Sequence, residues 1–125
     1  METDQSVQHL RNRKAPIEMA PEEFRRLGYQ LVDRIADFLS SLPQRPVTPG
    51  ESAPEVRQAL GSENKLPDRG TNPQSLLEQA ASLVFDHSLF NSHPRFWGYV
   101  TSPAAPIGIL GDLLASTANP NLGSW

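Results

Sequence analysis

Apolar residues recur along this chain in three blocks separated by proline-rich or polar stretches. The first block runs from Pro21 to Leu42, with Phe24, Leu27, Leu31, Val32, Ile35, Phe38, Leu39 and Leu42 spaced mostly by threes and fours. That spacing predicts one apolar stripe along a helix. Pro21 suits the first helical position, and Glu22 and Glu23 suit the positive end of the helix dipole. Ala20 is a poor N-cap, so the first turn is expected to fray. Pro43 ends the helix, because proline brings no N–H and clashes with the preceding turn. At ~1.5 Å per residue the helix would be about 33 Å long. Such length in so small a chain suggests an arm lying across a larger body.

The second block, Leu76, Leu77, Ala80, Leu83, Val84 and Phe85, predicts a helix capped by Asn72, begun by Pro73 and ended near Leu89. Between the two blocks, PQRPVTPGESAP reads as extended backbone, followed by a short helical turn around Pro54–Leu60 and the polar connector GSENKLPDRGT. Phe96 to Val100 reads as a short extended piece, with Gly98 permitting close backbone approach. A third helix is predicted from Pro106 through Ile107, Ile109, Leu110, Leu113 and Leu114. Its apolar residues lie on more than one side, which predicts burial. Residues 1–18 show no periodicity and read as a flexible lead-in, and ASTANPNLGSW reads as a turn-rich exit. The expected fold class is mainly α, about three helices joined by extended proline-rich connectors.

Twelve prolines among 125 residues are about twice the usual share of roughly 5%. Hydrophobic residues make up 38%, so the core should be lean and part of the apolar surface should meet something outside this chain. The net charge is -3 with no basic run, which argues against a nucleic-acid partner. Cysteine is absent, which excludes disulfides, thiolate metal sites and a cysteine nucleophile. The polar N-terminus lacks a signal-peptide core, and no window approaches the ~20 apolar residues of a membrane span. A soluble cytoplasmic protein without a membrane partner is expected.

Candidate chemistry is sparse. His9, His87 and His93 have no metal-ligand spacing, so no metal site is expected. Solvent-facing or locally bonded roles are favoured for His9 and His87, while His93, on a loop beside aromatics, could line a pocket. Tyr99, Thr101 and Ser102 could hydrogen-bond a small polar ligand, or cap the helix beginning near Pro106; the residues alone favour capping. Phe96 and Trp97 are expected as core anchors. Asp112, inside an apolar helix, would need a charged partner if buried.

Two longer stretches carry a resemblance. MAPEEFRRLGYQLVDRIADFLSSL, Met19–Leu42, resembles the opening helix of the pyridoxal-phosphate-dependent group II amino-acid decarboxylases. HPRFWGYVTSPAAPIGILGD, followed by LLASTANPNLGSW, resembles the segment those enzymes place soon after it. The likeness covers residues 19–125 in order. It implies the N-terminal helical segment of a fold-type I enzyme, a homodimer through its N-terminal helices, cut before the large α/β domain. In that family a lysine of the large domain forms the Schiff base with pyridoxal phosphate, an aspartate pairs with the pyridine nitrogen, and a histidine stacks on the ring.

Lys14 and Lys65, the chain's two lysines, match neither that lysine's motif nor any other, so no catalytic or cofactor-binding residue is assigned here. The resemblance places Tyr99, Val100, Thr101 and Ser102 against the substrate's side chain. Tyr99 matches the aromatic-amino-acid branch, where glutamate decarboxylases place an amide. Thr101 stands where that branch carries proline, and Gly123 where it carries an aromatic. These departures leave the substrate open among amino acids. The expected function is therefore part of an amino-acid decarboxylase, inactive as this isolated chain. The competing reading is a complete helical module that binds a protein partner through its apolar stripe.

Overall fold

The computed structural model describes residues 2–13, 17–121 and 123, with residues 2–6 by backbone alone. Among the described residues the regular elements are helical, and no strand forms. Helix α1 spans Glu2–Arg11, α2 Pro21–Ser41, α3 Ala53–Ala59, α4 Pro73–Asp86 and α5 Pro106–Ala118, with a 3-10 turn at Leu42–Gln44 after α2. The mainly α expectation holds, with α1 added where no apolar period announced it; residues 14–16 of that stretch lie outside the described residues. The chain divides into two compact units, Met1–Ile35 and Ala36–Trp125.

In the first unit, the 2–35 part of the chain holds α1 and most of α2. Leu27 is buried, whereas Phe24 and Val32 of the same predicted stripe are exposed. Arg26 Nη1 donates to Gln30 Oε1 one turn on, at 3.3 Å.

The second unit begins with the last turn and a half of α2 and is built around aromatic contact. The Phe38 and Phe85 rings stack at 4.2 Å and 5°, and Phe90 meets Phe38 edge-on at 4.8 Å and 61°. These are the offset and T-shaped arrangements that the ring quadrupole favours. Leu42 and Ala81 are the buried apolar residues of the same unit among the described residues.

Local chemistry explains where its helices start. Asn72 Oδ1 accepts from the N–H groups of Gln74 (3.0 Å) and Ser75 (3.3 Å), with Pro73 in the first turn, as the sequence predicts. At α3, Glu55 Oε2 accepts from Ser52 N–H at 2.7 Å and Ser52 Oγ at 2.6 Å. Those two bonds hold the Glu55 carboxyl below the ordinary carboxylate range.

Three local expectations are corrected. Helix α4 ends at Asp86, not near Leu89, because the chain turns at His87. Phe96–Val100 is not extended: it bends, and Tyr99 takes φ +58°. Helix α5 is not buried. Ile107 is 78% exposed and Leu114 70%, and Asp112 is exposed, so it needs no buried partner. The apolar pattern was read correctly, but the described residues cover little of it, Ile109 alone of its large aliphatic side chains being half-buried.

Candidate functional site

The candidate residues lie on the loop between α4 and α5. Arg45, in the proline-rich connector, donates from Nη1 to Phe85 O at 2.7 Å and meets Asp86 Oδ1 at 3.2 Å. Its Nε donates to Ser41 Oγ at 2.9 Å, and its guanidinium lies 5.2 Å from the Phe38 ring centroid. One side chain thus ties the end of α2 to the end of α4. The α4 carbonyl that it caps would otherwise lack an intrahelical donor.

The backbone of Arg45 serves the loop in turn. His93, 2% exposed, places Nε2 at 2.9 Å from Arg45 O, while its Nδ1 accepts from Arg95 N–H at 3.0 Å. Arg95 Nη2 donates to the same carbonyl at 3.3 Å. Because a carbonyl can only accept and a backbone N–H can only donate, the ring is the neutral tautomer with its proton on Nε2. His93 therefore lines no pocket; it is a satisfied buried histidine. The His87 ring is neither solvent-facing nor locally bonded. Its Nδ1 lies 2.7 Å from Glu51 Oε1, fastening the connector before α3 to the end of α4.

Beyond the root, Ser92 Oγ accepts from Ala104 N–H at 3.2 Å and brings the two ends of the loop together. Inside, the Phe96 ring lies so close over Gly98 that an added Cβ would come within 3.1 Å of it. Outside, Trp97, Tyr99 and Val100 are exposed at 91%, 89% and 105%, and Thr101 and Ser102 are exposed too. Trp97 is thus not a core anchor: the loop turns it outward while Phe96 takes the inner position. Nor do Thr101 and Ser102 cap α5. Ala105 occupies the cap position without a side-chain bond.

The structure thus keeps Tyr99, Val100, Thr101 and Ser102 together on one exposed turn. An open depression of about 470 Å³ lies elsewhere, lined by Leu60, Gly61, Asn64, Glu78, Ser82 and Leu83. Arg45 is the residue that sequence reasoning missed. Its signal was a lone arginine in a proline-rich run, and its partners on α4 and the loop lie 40 to 50 positions away.

An aromatic-L-amino-acid decarboxylase of Bacillus atrophaeus is 32% identical over 109 residues, covering 87% of this chain and 22% of the relative. The chain is a homologue of the group II amino-acid decarboxylases. A tyrosine decarboxylase of Oryza sativa subsp. japonica is 28% identical over 104 residues, 83% of this chain and 20% of its own length. A phenylacetaldehyde synthase of Petunia hybrida is 28% identical over 105 residues, 84% of this chain and 20% of its own length. The chain thus spans about a fifth of the length of the curated relatives it matches. No family profile matches it, and no solved structure does.

Group II decarboxylases depend on pyridoxal phosphate, whose chemistry needs a lysine amine in an enclosed site. Lys65 is exposed on the polar connector after α3, and Lys14 lies outside the described residues. The described residues therefore do not fit the cofactor. Among them no cluster of three His, Asp or Glu side chains could hold a metal ion, and no helix is long and apolar enough to cross a membrane.

Proposed function

We propose that this chain is the N-terminal segment of a pyridoxal-phosphate-dependent L-amino-acid decarboxylase and contributes a wall of its substrate pocket. The observation that carries this reading is the loop tip: Tyr99, Val100, Thr101 and Ser102 are all exposed, side by side, on a turn with a fastened root. A phenol, a methyl-bearing side chain and two hydroxyls suit contact with an amino-acid side chain that is part apolar and part polar. Gly123 leaves more room in that wall than an aromatic ring would, and Thr101 departs from the proline of the aromatic-amino-acid branch, so the substrate class is left as L-amino acids.

The same reading makes the protein a cytoplasmic homodimer. In its support, Phe24, Tyr29 and Val32 of α2 are exposed at 62%, 66% and 43%, large apolar residues available to a second subunit. The isolated chain is inactive on this reading, since neither Lys14 nor Lys65 stands in a sequence motif that matches the family's Schiff-base lysine.

The test is an exchange of segments. The stretch of the Bacillus atrophaeus enzyme that matches this chain is replaced by this chain's own, and decarboxylation is measured. A folded dimeric chimera that decarboxylates supports the reading; a folded dimer that binds pyridoxal phosphate but releases no carbon dioxide overturns it. In parallel, borohydride treatment of this chain with pyridoxal phosphate should leave no specific pyridoxyl adduct at Lys14 or Lys65 by mass spectrometry.

A further inference from the structure

We infer that His93 is a positioning residue: its ring fixes the root of the 92–104 loop and so sets where Tyr99 to Ser102 stand. What the tip meets rests on the decarboxylase reading; how the tip is held does not.

His93 is the buried polar residue among the described residues, and four hydrogen bonds converge on it. Besides the two ring bonds, its N–H donates to Phe90 O at 3.1 Å and its carbonyl accepts from Phe96 N–H at 2.9 Å. Both ring partners are main-chain groups with fixed roles, so the ring has one tautomer and one orientation available. Through Arg45 O it reaches a residue whose side chain is itself anchored on Ser41, Phe85 and Asp86.

Loop geometry adds the reason for such an anchor. The ends, Ser92 and Ala104, are joined by a hydrogen bond across 12 positions, and the Phe96 ring packs within. A short loop with joined ends and its own packed side chain is an Ω-loop. At its tip Tyr99 holds φ +58°, a conformation that non-glycine residues avoid unless their surroundings determine it. Tyr99 is 89% exposed, so few contacts of its own can supply that determination. The fastened ends supply it.

Three variants of the full chain separate the two ring bonds from general packing, read by amide hydrogen exchange. Asparagine can present an acceptor near the Nδ1 position, and glutamine a donor near the Nε2 position. His93→Gln should speed Arg95 N–H exchange about tenfold, the scale of one lost hydrogen bond, while His93→Asn should keep it near the parent rate. Ser92→Ala should speed Ala104 N–H exchange and leave that of Arg95 unchanged. Amides of α4 serve as the fold reference and should not move.

Equal effects of the two His93 variants on Arg95 would overturn the inference, as would acceleration of α4 by the same factor or loss of the fold in both. Each of those results would make His93 a packing residue. Since no substrate or cofactor is present, failure here is distinct from failure of the segment exchange.

Discussion

The Phe38–Arg45–His93 junction and helix α5 belong to the same unit. The junction closes on itself. Two ring contacts, a guanidinium over a ring, and hydrogen bonds to the carbonyls of Phe85 and Arg45 leave its polar groups paired. Helix α5 has Ile107, Leu110, Leu113 and Leu114 exposed at 51% or more. The difference teaches where this sequence carries its own cover. Aromatic and arginine side chains reach across 40 or more positions to assemble the junction, whereas α5 leaves most of its aliphatic side chains exposed.

The strongest way to break that contrast is at its centre. Phe38→Ala removes both ring contacts and the guanidinium's platform, and should destabilise the unit by about 3 kcal/mol in denaturant unfolding, the low end for a phenylalanine because Phe38 is half-buried. Arg45→Ala leaves Phe85 O without its charged donor, and should cost about 2 kcal/mol by the same measurement. Its backbone carbonyl would still receive His93, so exchange of loop amides should speed up less than that of amides at the end of α4.

On the other side of the comparison, Leu114→Gln should change stability by no more than about 0.5 kcal/mol, because the side chain gives up little buried area. It should nonetheless lower self-association in sedimentation, by removing exposed apolar surface.

The smallest effect concerns pH at α3. Two hydrogen bonds from Ser52 lower the folded-state titration of Glu55 relative to the unfolded chain. Their contribution is therefore present above the ordinary glutamate range and lost as pH falls through the lower folded value. Carboxyl NMR should show Glu55 titrating below a free glutamate, and Glu55→Gln should remove that acid-side change in α3.

Local rules made much of the fold legible. The three-and-four spacing gave α2, and Pro43 stopped it within a residue or two of the observed end. Asn72 and Pro73 marked the start of α4. Helix α1 escaped because its apolar residues, Val7 and Leu10 among the described side chains, are too few to make a stripe. The candidate site was legible as a stretch and illegible as an arrangement. Tyr99 to Ser102 could be named from resemblance, but the bonds of His93 to Arg45 O and of His87 to Glu51 span 48 and 36 positions, which no local period encodes. The rule that an all-round apolar helix is buried failed at α5 for a related reason: it states that cover is needed, not which residues provide it.

The most direct test of the contrast is residue-resolved amide exchange on the full chain. Helix α5 has 13 residues, two of them glycine, and helices shorter than ~12–15 residues are marginal in water without packing. The account predicts that α4 amides are protected while those of α5 exchange close to unfolded-chain rates. Protection of α5 equal to that of α4, in a monomer, would contradict it.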